Sequence, residues 1–264
     1  MSFKTSIFQV DAFTDTLFKG NPAAVVPIDE WMSPKEMQHI AMENNLSETA
    51  FIVKKNDNEF GIRWFTPETE VDLCGHATLA AAHVIMTELE SGLNTVEFNS
   101  NSGKLAVEKT GSTYWLNFPS QPPEPVSLPK LIPEAIGTIP IYAGLNVDLL
   151  LLVESEQILR QLKPNFDMIR NLDVRGVIVT AESDDPSIDF VSRFFAPAVG
   201  VPEDPVTGSA HTVLTPFWSK RLGKTELSAQ QVSARGGYLK CVDVGDRVKI
   251  GGSAITYMKG SISV

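Results

Sequence analysis

The sequence has few cysteines, few basic residues and no long apolar run, and each shortage excludes a class of protein. Only Cys74 and Cys241 occur among 264 residues, too few and too far apart for a disulfide framework or a paired-cysteine zinc site. Lys and Arg number 22 against 32 Asp and Glu, which argues against a nucleic-acid or anionic-membrane partner. No segment approaches about 18 consecutive apolar residues, so no membrane span is expected.

Several sequence motifs are absent as well. Residues 1–10 lack a basic start followed by an apolar run, so no signal peptide is expected and a cytoplasmic location is predicted. A glycine-rich phosphate loop, a dinucleotide fingerprint and a nucleophile elbow are all missing. The sequence therefore predicts an enzyme or binding protein that needs no cofactor and no metal.

A repeated segment is the most informative feature that is present. The sequence RWFTP at 63–67 recurs as RFFAP at 193–197, a spacing of 130 residues. An acid follows each copy, Asp72 in the first half and Asp204 in the second. A strand, a turn and a helix start used twice in one chain predict two similar α+β domains.

A small-residue turn opens an apolar segment after each copy, at Gly75 and at Gly208. Residues 76–90 are apolar almost all round, which predicts a buried helix ending at Gly92. Residues 209–218 predict a second buried helix, bent or shortened by Pro216. Two such helix N-termini facing each other would form an anion site between the domains.

A stretch with seven prolines at 119–140 separates the two halves. Proline lacks an N–H donor and disfavours both helix interiors and central strands, so this stretch is predicted to be the interdomain crossing. The predicted domains are residues 1–118 and 119–254.

Glu48 is the first candidate for chemistry. It stands in a neutral stretch before three apolar residues, where a carboxylate can exchange protons with a bound ligand near neutrality. Aligning 46–53 with 172–179 places Val174 opposite Glu48, so only one half carries a carboxylate there. The alternative is an ordinary solvent-facing glutamate on a strand.

The first turn of the first buried helix holds three further candidates. Gly75 lets the backbone approach an anion, and His76 is expected to stay neutral because the positive helix end disfavours imidazolium. His76 could instead simply cap the helix. Cys74 is expected to have a lowered pKa at a helix N-terminus, unless it is a small buried residue.

The second helix start offers a matching set. Ser209 can bind a carboxylate or phosphate through its hydroxyl and N–H, and Asp204 could fix the tautomer of an imidazole. Asp204 and Asp72 could instead be N-cap residues. Arg63 and Arg193 recur with the scaffold and are expected to serve it.

Six motifs in order resemble the PhzF family of phenazine-biosynthesis-like proteins. They are VDAFT at 10–14, GNPAAVV at 20–26, SETAF at 47–51, RWFTP at 63–67, GHATL at 75–79 and EDPVTGSAH at 203–211. The resemblance implies the diaminopimelate epimerase-like fold, in which two pseudo-symmetric domains each wrap a curved mixed sheet around a central helix. It also implies that about 255–264 return to the first domain, that the active site lies in an interdomain cleft, and that the protein is a homodimer.

The activity named for the family is a cofactor-free proton shift that isomerises a dihydro-hydroxyanthranilate, a small carboxylic acid. By resemblance the acid/base glutamate is Glu48, and His76 and Asp204 complete the catalytic set. The expected substrate-binding residues are Asn21, Gly75, Gly208 and Ser209.

Two other functions stay open from the sequence. Epimerases of the wider superfamily use a cysteine at each duplicated helix start, whereas this chain has Cys74 at one and Thr207 at the other. A hydroxyl is a poor base near neutrality, so a two-thiol racemase is disfavoured, although Cys74 could partner Glu48. The third interpretation is a non-catalytic metabolite-binding protein on the same scaffold.

Overall fold

The computed structural model describes residues 4–264 and divides into two compact units. Unit 1 comprises Met1–Asn117 and Gly251–Val264, and unit 2 comprises Phe118–Ile250. The predicted domain boundaries, 118/119 and about 254/255, lie beside these, and residues 1–3 of the predicted first domain lie outside the described residues. Within the described part of the chain, no helix is long and apolar enough to cross a membrane.

Both units combine β-strands with a few helices. The strands that begin in unit 1 are β1 Lys4–Ala12, β2 Asn21–Pro27, β3 Glu48–Lys54, β4 Glu59–Phe65, β5 Glu70–Val71, β6 Thr95–Ser100, β7 Gly103–Thr110 and β8 Thr113–Pro119. The strands that begin in unit 2 are β9 Glu124–Pro125, β10 Tyr142–Leu145, β11 Leu149–Leu152, β12 Val177–Glu182, β13 Phe190–Ala196, β14 Val201–Asp204, β15 Glu226–Gln231, β16 Gly237–Asp243 and β17 Arg247–Gly252. The last strand, β18 Ala254–Ser263, belongs to unit 1.

The helices are α1 Pro34–Asn44, α2 Gly75–Val84, α3 Ile132–Ile136, α4 Glu156–Gln161, α5 Phe166–Arg170 and α6 Gly208–Leu222. In unit 1, β1 pairs antiparallel with β2 and β18, and β2 pairs parallel with β3. In unit 2, β11 pairs parallel with β12, which pairs antiparallel with β13. Mixed pairing of this kind confirms the predicted α+β class.

Helix α1 begins where the sequence predicts. The Ser33 hydroxyl accepts from the backbone N–H of Glu36 at 3.2 Å, and the Ser33 N–H donates to the Glu36 carboxylate at 3.0 Å. This reciprocal pair satisfies two N–H groups that the helix itself leaves without a partner. Met37, Ile40 and Ala41 then face the core that includes β3.

Helix α2 is buried from its second residue to its end, as predicted. Every residue from 76 to 84 is buried, and Ala77, Ala80, Ala81 and Ala82 are fully inaccessible. Side chains this small let β1, β2, β3 and β18 approach the helix closely. The helix continues as a π-helical turn, Ile85–Leu89, and ends at Glu90 rather than at the predicted Gly92.

Pro216 lies inside α6, which nevertheless runs on to Leu222. A proline has no N–H, so the carbonyl of Thr212 four residues earlier loses its helical donor. The backbone N–H of Gln121 donates to that carbonyl at 3.0 Å. The proline-rich segment therefore compensates the helix, and the predicted shortening of α6 is wrong.

The proline-rich stretch was predicted to be an interdomain crossing without a helix, and this is wrong in part. Residues 118–140 belong to unit 2, and they include the short helix α3. Pro133 sits in the first turn of α3, where a missing N–H costs nothing because that position has no helical acceptor.

The strand registers define which residues of the two halves correspond. Thr49 pairs with Phe65 in unit 1, and Val177 pairs with Phe195 in unit 2. Since Phe65 and Phe195 are the repeated residues, Glu48 corresponds to Gly176. The sequence alignment of Glu48 with Val174 was wrong by two residues, because 171–176 form an irregular turn rather than the start of a strand.

The predicted pairing of Asp72 with Asp204 is also wrong. Trp64 pairs with Val71, and the equivalent pair in unit 2 is Phe194 with Asp204. Val71 is therefore the counterpart of Asp204, and unit 1 has no acid at that position.

The acids that do recur are Glu70 and Glu203. Arg63 donates to Glu70 through Nε at 2.7 Å and Nη2 at 2.6 Å, and Arg193 donates to Glu203 at 2.8 and 2.9 Å. Arg193 also donates to the carbonyls of Leu159 and Leu162. Both arginines thus tie strands and turns together, which confirms their predicted scaffold role.

Candidate active site

Glu48 is the first residue of β3 and lies at the edge of the unit 1 core. Asn45, in the left-handed conformation with φ 49°, ends α1 and turns the chain toward β3. Glu48 pairs with Ala23 of β2, and β4 begins its pairing only at the next residue, Thr49. Its side chain keeps 16% of its surface exposed. It is therefore neither a buried core residue nor the solvent-facing glutamate of the alternative interpretation.

The start of α2 lies beside this carboxylate. Cys74 is the N-cap residue, with φ −143° and ψ 111°, but its side chain makes no capping hydrogen bond. Gly75 and His76 occupy the first two helical positions, whose N–H groups have no acceptor within the helix. The predicted position of Gly75 and His76 at a helix start is confirmed.

His76 contacts side chains on both edges of its ring. Its Nε2 is 2.9 Å from Oε2 of Glu48, and its Nδ1 is 3.5 Å from Sγ of Cys74 and 3.2 Å from Nδ2 of Asn21. The Asn21 carbonyl oxygen accepts from the Ser47 hydroxyl at 3.1 Å. The structure thus brings together Asn21, Glu48, Gly75 and His76, four of the seven residues predicted for the site.

The contact between Glu48 and His76 is short but poorly aligned. The Oε2 and Nε2 atoms are both buried, and neither makes a hydrogen bond of acceptable geometry with any residue in 4–264. Buried polar atoms are nearly always satisfied in native proteins. Two such atoms side by side at a helix start are what a ligand-binding site requires.

The pKa of His76 is raised, whereas its position at a helix start predicts a neutral imidazole. Burial alone would lower its pKa, but the contacts of the ring with Cys74 and Glu48 raise the pKa well above the usual value. Burial, followed by the charge of Glu48, raises the pKa of the Cys74 thiol, which is therefore neutral near pH 7. Since the thiol is neutral, the Glu48 carboxylate is the negative charge that raises the pKa of His76 near neutral pH.

Burial and the charge of Glu48 also overturn the expectation that Cys74 has a lowered pKa. A thiol at a helix N-terminus usually has a lowered pKa, but this side chain is buried and has a carboxylate as its neighbour. Both effects disfavour the thiolate. Cys74 is a small buried residue with a weakly acidic thiol.

Glu48, Cys74 and His76 place potential metal-ligand atoms within 4.8 Å of one another. However, the ring presents Nε2 to Glu48 and Nδ1 to Cys74. One ion cannot bind both ring nitrogens, so a three-residue site would require the imidazole to turn. The present geometry suits hydrogen bonding to a ligand better than metal coordination.

The start of α6 in unit 2 holds the other three predicted residues. Thr207 is the N-cap residue, and Gly208 and Ser209 follow in the first turn. The Asp204 carboxylate accepts from the Thr207 hydroxyl at 2.5 Å. Asp204 is therefore not the N-cap, and neither is Asp72, because Cys74 takes that place in unit 1.

Sequence reasoning missed Gln231, which organises this helix start. Its amide oxygen accepts from the Thr207 N–H at 2.8 Å, and its amide nitrogen donates to the Asp204 carbonyl at 2.8 Å. Gln231 lies at the end of β15, fully buried and 24 residues from Thr207. No local pattern marks a glutamine that acts at such a sequence distance.

Arg175 and Asp148 were missed as well. Asp148 is fully buried and accepts two hydrogen bonds from Arg175, whose Nη2 also lies 3.2 Å from the Ser209 hydroxyl. The only sequence signal available was the alignment of the two halves. Because that alignment was shifted by two residues, Arg175 was placed opposite Thr49 instead of Ser47.

Comparison with known proteins agrees with this architecture and these motifs. A sequence profile of the PhzC-PhzF family, described as phenazine biosynthesis-like protein, matches residues 10–260. The chain belongs to this family.

Its relatives match over nearly their whole length. An uncharacterized isomerase of Pseudomonas aeruginosa is 49% identical over 97% of this chain and 98% of that protein. An uncharacterized isomerase of Halalkalibacterium halodurans is 47% identical over 98% of each. The crystal structure of a PhzF-family protein from Enterococcus faecalis has a TM-score of 0.96 and 46% identity, covering 99% of this chain and 100% of that one.

More distant structures of epimerases share the fold alone. A predicted epimerase of Pseudomonas aeruginosa has a TM-score of 0.75 at 19% identity, covering 98% of this chain and 99% of that one. A hydroxyproline epimerase of Agrobacterium vitis has a TM-score of 0.62 at 11% identity, covering 99% and 93%. The predicted diaminopimelate epimerase-like fold of this PhzF-family chain is confirmed.

Proposed function

We propose that this PhzF-family protein is an isomerase that moves a proton within a small carboxylated metabolite, with Glu48 as the single acid/base group. The observation that carries the proposal is the pair formed by Oε2 of Glu48 and Nε2 of His76. These atoms lie 2.9 Å apart, buried and without aligned partners, at the start of α2. The isomerase names of close relatives support the reaction class.

The proposed reaction is a proton transfer in two steps. The Glu48 carboxylate removes a proton from one carbon, and the electron pair left behind delocalises toward an adjacent carbonyl or double bond. The proton on Glu48 exchanges with solvent, and Glu48 then donates a proton to a second carbon, so no group is oxidised or reduced. A single group that takes and gives back a proton suits a ligand that stays bound between the steps.

The first turn of α2 would stabilise the charge that develops on the ligand. The Gly75 N–H lacks a helical acceptor, and the His76 ring, whose pKa is raised, can take up a positive charge beside the ligand. Donors that are already in place cost no reorganisation when the charge develops. Asn21 contacts Nδ1 of His76 and orients the ring. Asp204, Gly208 and Ser209 stay proposed ligand-binding residues of unit 2.

An epimerase that pairs Cys74 with Glu48 is the second candidate, because Sγ lies within 4.8 Å of the Glu48 carboxylate. A two-base epimerase needs a thiolate or a second carboxylate as its partner base. The raised pKa of Cys74 argues against a thiolate, and the equivalent N-cap in unit 2 is Thr207. A non-catalytic binding protein is the third candidate, and the deuterium-uptake test below distinguishes it from both enzymes.

Independence of a cofactor is part of the proposal. We expect activity to survive exhaustive chelation, because the two nitrogens of His76 face different partners and do not converge on one ion. Activity that is lost on chelation and recovered with an added metal would contradict this. We also propose a homodimer, which sedimentation of the purified protein tests.

Deuterium uptake tests the reaction class directly. A panel of small carboxylic acids with an activated C–H bond is incubated with the protein in D2O and followed by proton NMR, with heat-denatured protein as the control. We expect at least one acid to gain deuterium at two carbons related by a double-bond shift. Uptake at a single stereocentre would favour the epimerase, and no uptake by any acid would favour a binding protein.

A further inference from the structure

The side-chain amide of Gln231 in unit 2 has only one possible orientation. Its oxygen accepts from the backbone N–H of Thr207 at 2.8 Å, and its nitrogen donates to the backbone carbonyl of Asp204 at 2.8 Å. A backbone N–H can only donate and a backbone carbonyl can only accept, so the amide cannot be turned round. Gln231 is fully buried at the end of β15, so water does not compete for these bonds.

The orientation of this amide decides the direction of the Thr207 hydroxyl. Nε2 of Gln231 has a second hydrogen, which it donates to the Thr207 hydroxyl oxygen at 3.1 Å. The hydroxyl in turn donates its own hydrogen to Oδ2 of Asp204 at 2.5 Å. The hydrogen bonds therefore run in one direction, from Gln231 through Thr207 to Asp204, and bonds linked in this way strengthen one another.

The two carboxylate oxygens of Asp204 consequently differ. Oδ2 already accepts the hydrogen of Thr207, so a proton or a hydrogen-bond donor of a ligand would approach Oδ1. Asp204 keeps part of its surface exposed, whereas Thr207 and Gln231 are buried. A partly exposed aspartate usually has several side-chain rotamers, and the short bond to Oδ2 selects one of them.

The counterpart of Gln231 in unit 1 does not take part in such a network. Strand β6 pairs in parallel with β4, and β15 with β13, so that Phe98 corresponds to Ala229 and Ser100 to Gln231. The Ser100 hydroxyl donates to the carbonyl of Gly103 at 2.9 Å, within the turn between β6 and β7. This side chain serves its own hairpin.

The other two members of the network also have different counterparts. Val71 corresponds to Asp204, and Cys74, the N-cap of α2, corresponds to Thr207. Helix α2 nevertheless begins at the equivalent position and is buried among its strands. The duplicated fold therefore forms without this network, which points to a role in the candidate site rather than in the scaffold.

We propose that Gln231 and Thr207 are positioning residues that fix the side chain of Asp204, so that Oδ2 is held by the Thr207 hydroxyl and Oδ1 contacts the substrate. A group that is already oriented costs no reorganisation during the reaction. The role in turnover rests on the proposed function, whereas the orientation of Asp204 stands on the hydrogen bonds of unit 2 alone.

The orientation is tested by NMR without any substrate. Three-bond couplings from the backbone nitrogen and carbonyl carbon to Cγ of Asp204 show whether the side chain holds one rotamer. We expect one rotamer in the wild type and in Thr207→Ser, which keeps the hydroxyl. Thr207→Val has the same shape without the hydroxyl, and its couplings should be averaged over several rotamers. A single rotamer in folded Thr207→Val would overturn the proposal.

Thr215→Val is the matched control. Thr215 is another fully buried threonine of α6, but its hydroxyl donates to the carbonyl of His211 at 2.5 Å. This variant should keep one Asp204 rotamer, and circular dichroism shows whether each variant folds. Averaged couplings in folded Thr215→Val would overturn the specific role of Thr207.

Gln231→Glu tests the start of the network. It keeps the side-chain shape but replaces the Nε2 donor by an acceptor, so the Thr207 hydroxyl should turn toward the new carboxylate. The couplings of Asp204 should then be averaged although Thr207 is intact. One rotamer in folded Gln231→Glu would overturn the role of Gln231, and the Thr207 variants decide the proposal if the buried charge prevents folding.

Deuterium uptake tests the role in turnover, with the acid that the wild type exchanges in D2O. Thr207→Val should exchange saturating acid at least about tenfold more slowly, because a misplaced group loses its contact with the substrate, and Thr207→Ser should restore the rate to within about threefold. Equal exchange by Thr207→Val and the wild type would overturn this role alone. A single Asp204 rotamer in a wild type that exchanges no acid would overturn the proposed function and leave the positioning of Asp204 supported.

Discussion

Glu48 and Gly176 occupy the same register position in the two halves of the chain, one residue before the partner of Phe65 and one before the partner of Phe195. A duplicated scaffold has thus placed a carboxylate in one copy and no side chain in the other. Unit 1 uses the position for a contact between Glu48 and His76, and unit 2 fills the space with the ring of Phe194. The proposed chemistry is therefore asymmetric although the fold is duplicated.

Gly176→Ala should destabilise the protein by roughly 1–3 kcal/mol, the usual cost of overpacking a core. The added Cβ would meet the Phe194 ring at 2.4 Å and 2.7 Å, and Phe194 is itself buried. Urea unfolding followed by circular dichroism measures the change. Gly92→Ala is the matched control, because nothing lies within 4 Å of its Cβ position and little change is expected. Equal stability of the two variants would show that Phe194 relaxes freely.

The stability of the fold should fall between pH 7 and pH 5 because of His211. Burial lowers its pKa to about 4, and its Nδ1 donates to the Thr207 carbonyl at 2.8 Å. The unfolded chain binds a proton near pH 6.5, whereas the folded protein does not until about pH 4, so stability is lost as the pH falls. This difference in proton binding lowers the free energy of unfolding by about 2 kcal/mol at pH 5.

Urea unfolding of the wild type and of His211→Gln at both pH values isolates this effect. His211→Gln should lose about 2 kcal/mol less than the wild type between pH 7 and pH 5, whatever its stability at pH 7. Burial also lowers the pKa of His83 to about 4, so part of the pH dependence should persist in the variant. An unchanged slope would contradict the account of His211.

Cys74 should react slowly with iodoacetamide in the folded protein at pH 7.5, at least about tenfold more slowly than a free thiol. Burial and the Glu48 charge both raise its pKa. Glu48→Gln removes the charge, so the same thiol should react faster in that variant. Mass mapping separates it from Cys241, whose pKa burial raises to about 12. Rapid labelling of Cys74 in the wild type would favour the thiol-based epimerase.

The sequence predicts features that repeat or that depend on neighbouring residues. The alanine-rich helix α2, the capping box at Ser33 and the duplicated strand with its arginine all follow from short local patterns. Charge states do not follow from local patterns. The helix end suggests a neutral His76, whereas Glu48, 28 positions away in the sequence, raises the pKa of that ring.

Residues that act across long sequence separations were also beyond prediction. Arg175 acts through Asp148, which is 27 residues away, and Gln231 acts on Thr207 from the end of another strand. Nothing near Asp148 or Gln231 in the sequence distinguishes them from ordinary polar residues. The irregular turn at 171–176 also shifted the alignment that could have drawn attention to Arg175.

The central claim is that Glu48 alone moves the proton, and deuterium uptake by two variants tests it most directly. Glu48→Gln keeps the side-chain shape, and Cys74→Ala removes the thiol within 4.8 Å of the carboxylate. With the acid that the wild type exchanges in D2O, the account predicts that Glu48→Gln loses exchange and binds that acid within about tenfold of the wild type. It predicts that Cys74→Ala keeps exchange. Full exchange by Glu48→Gln together with its loss in Cys74→Ala would contradict the account.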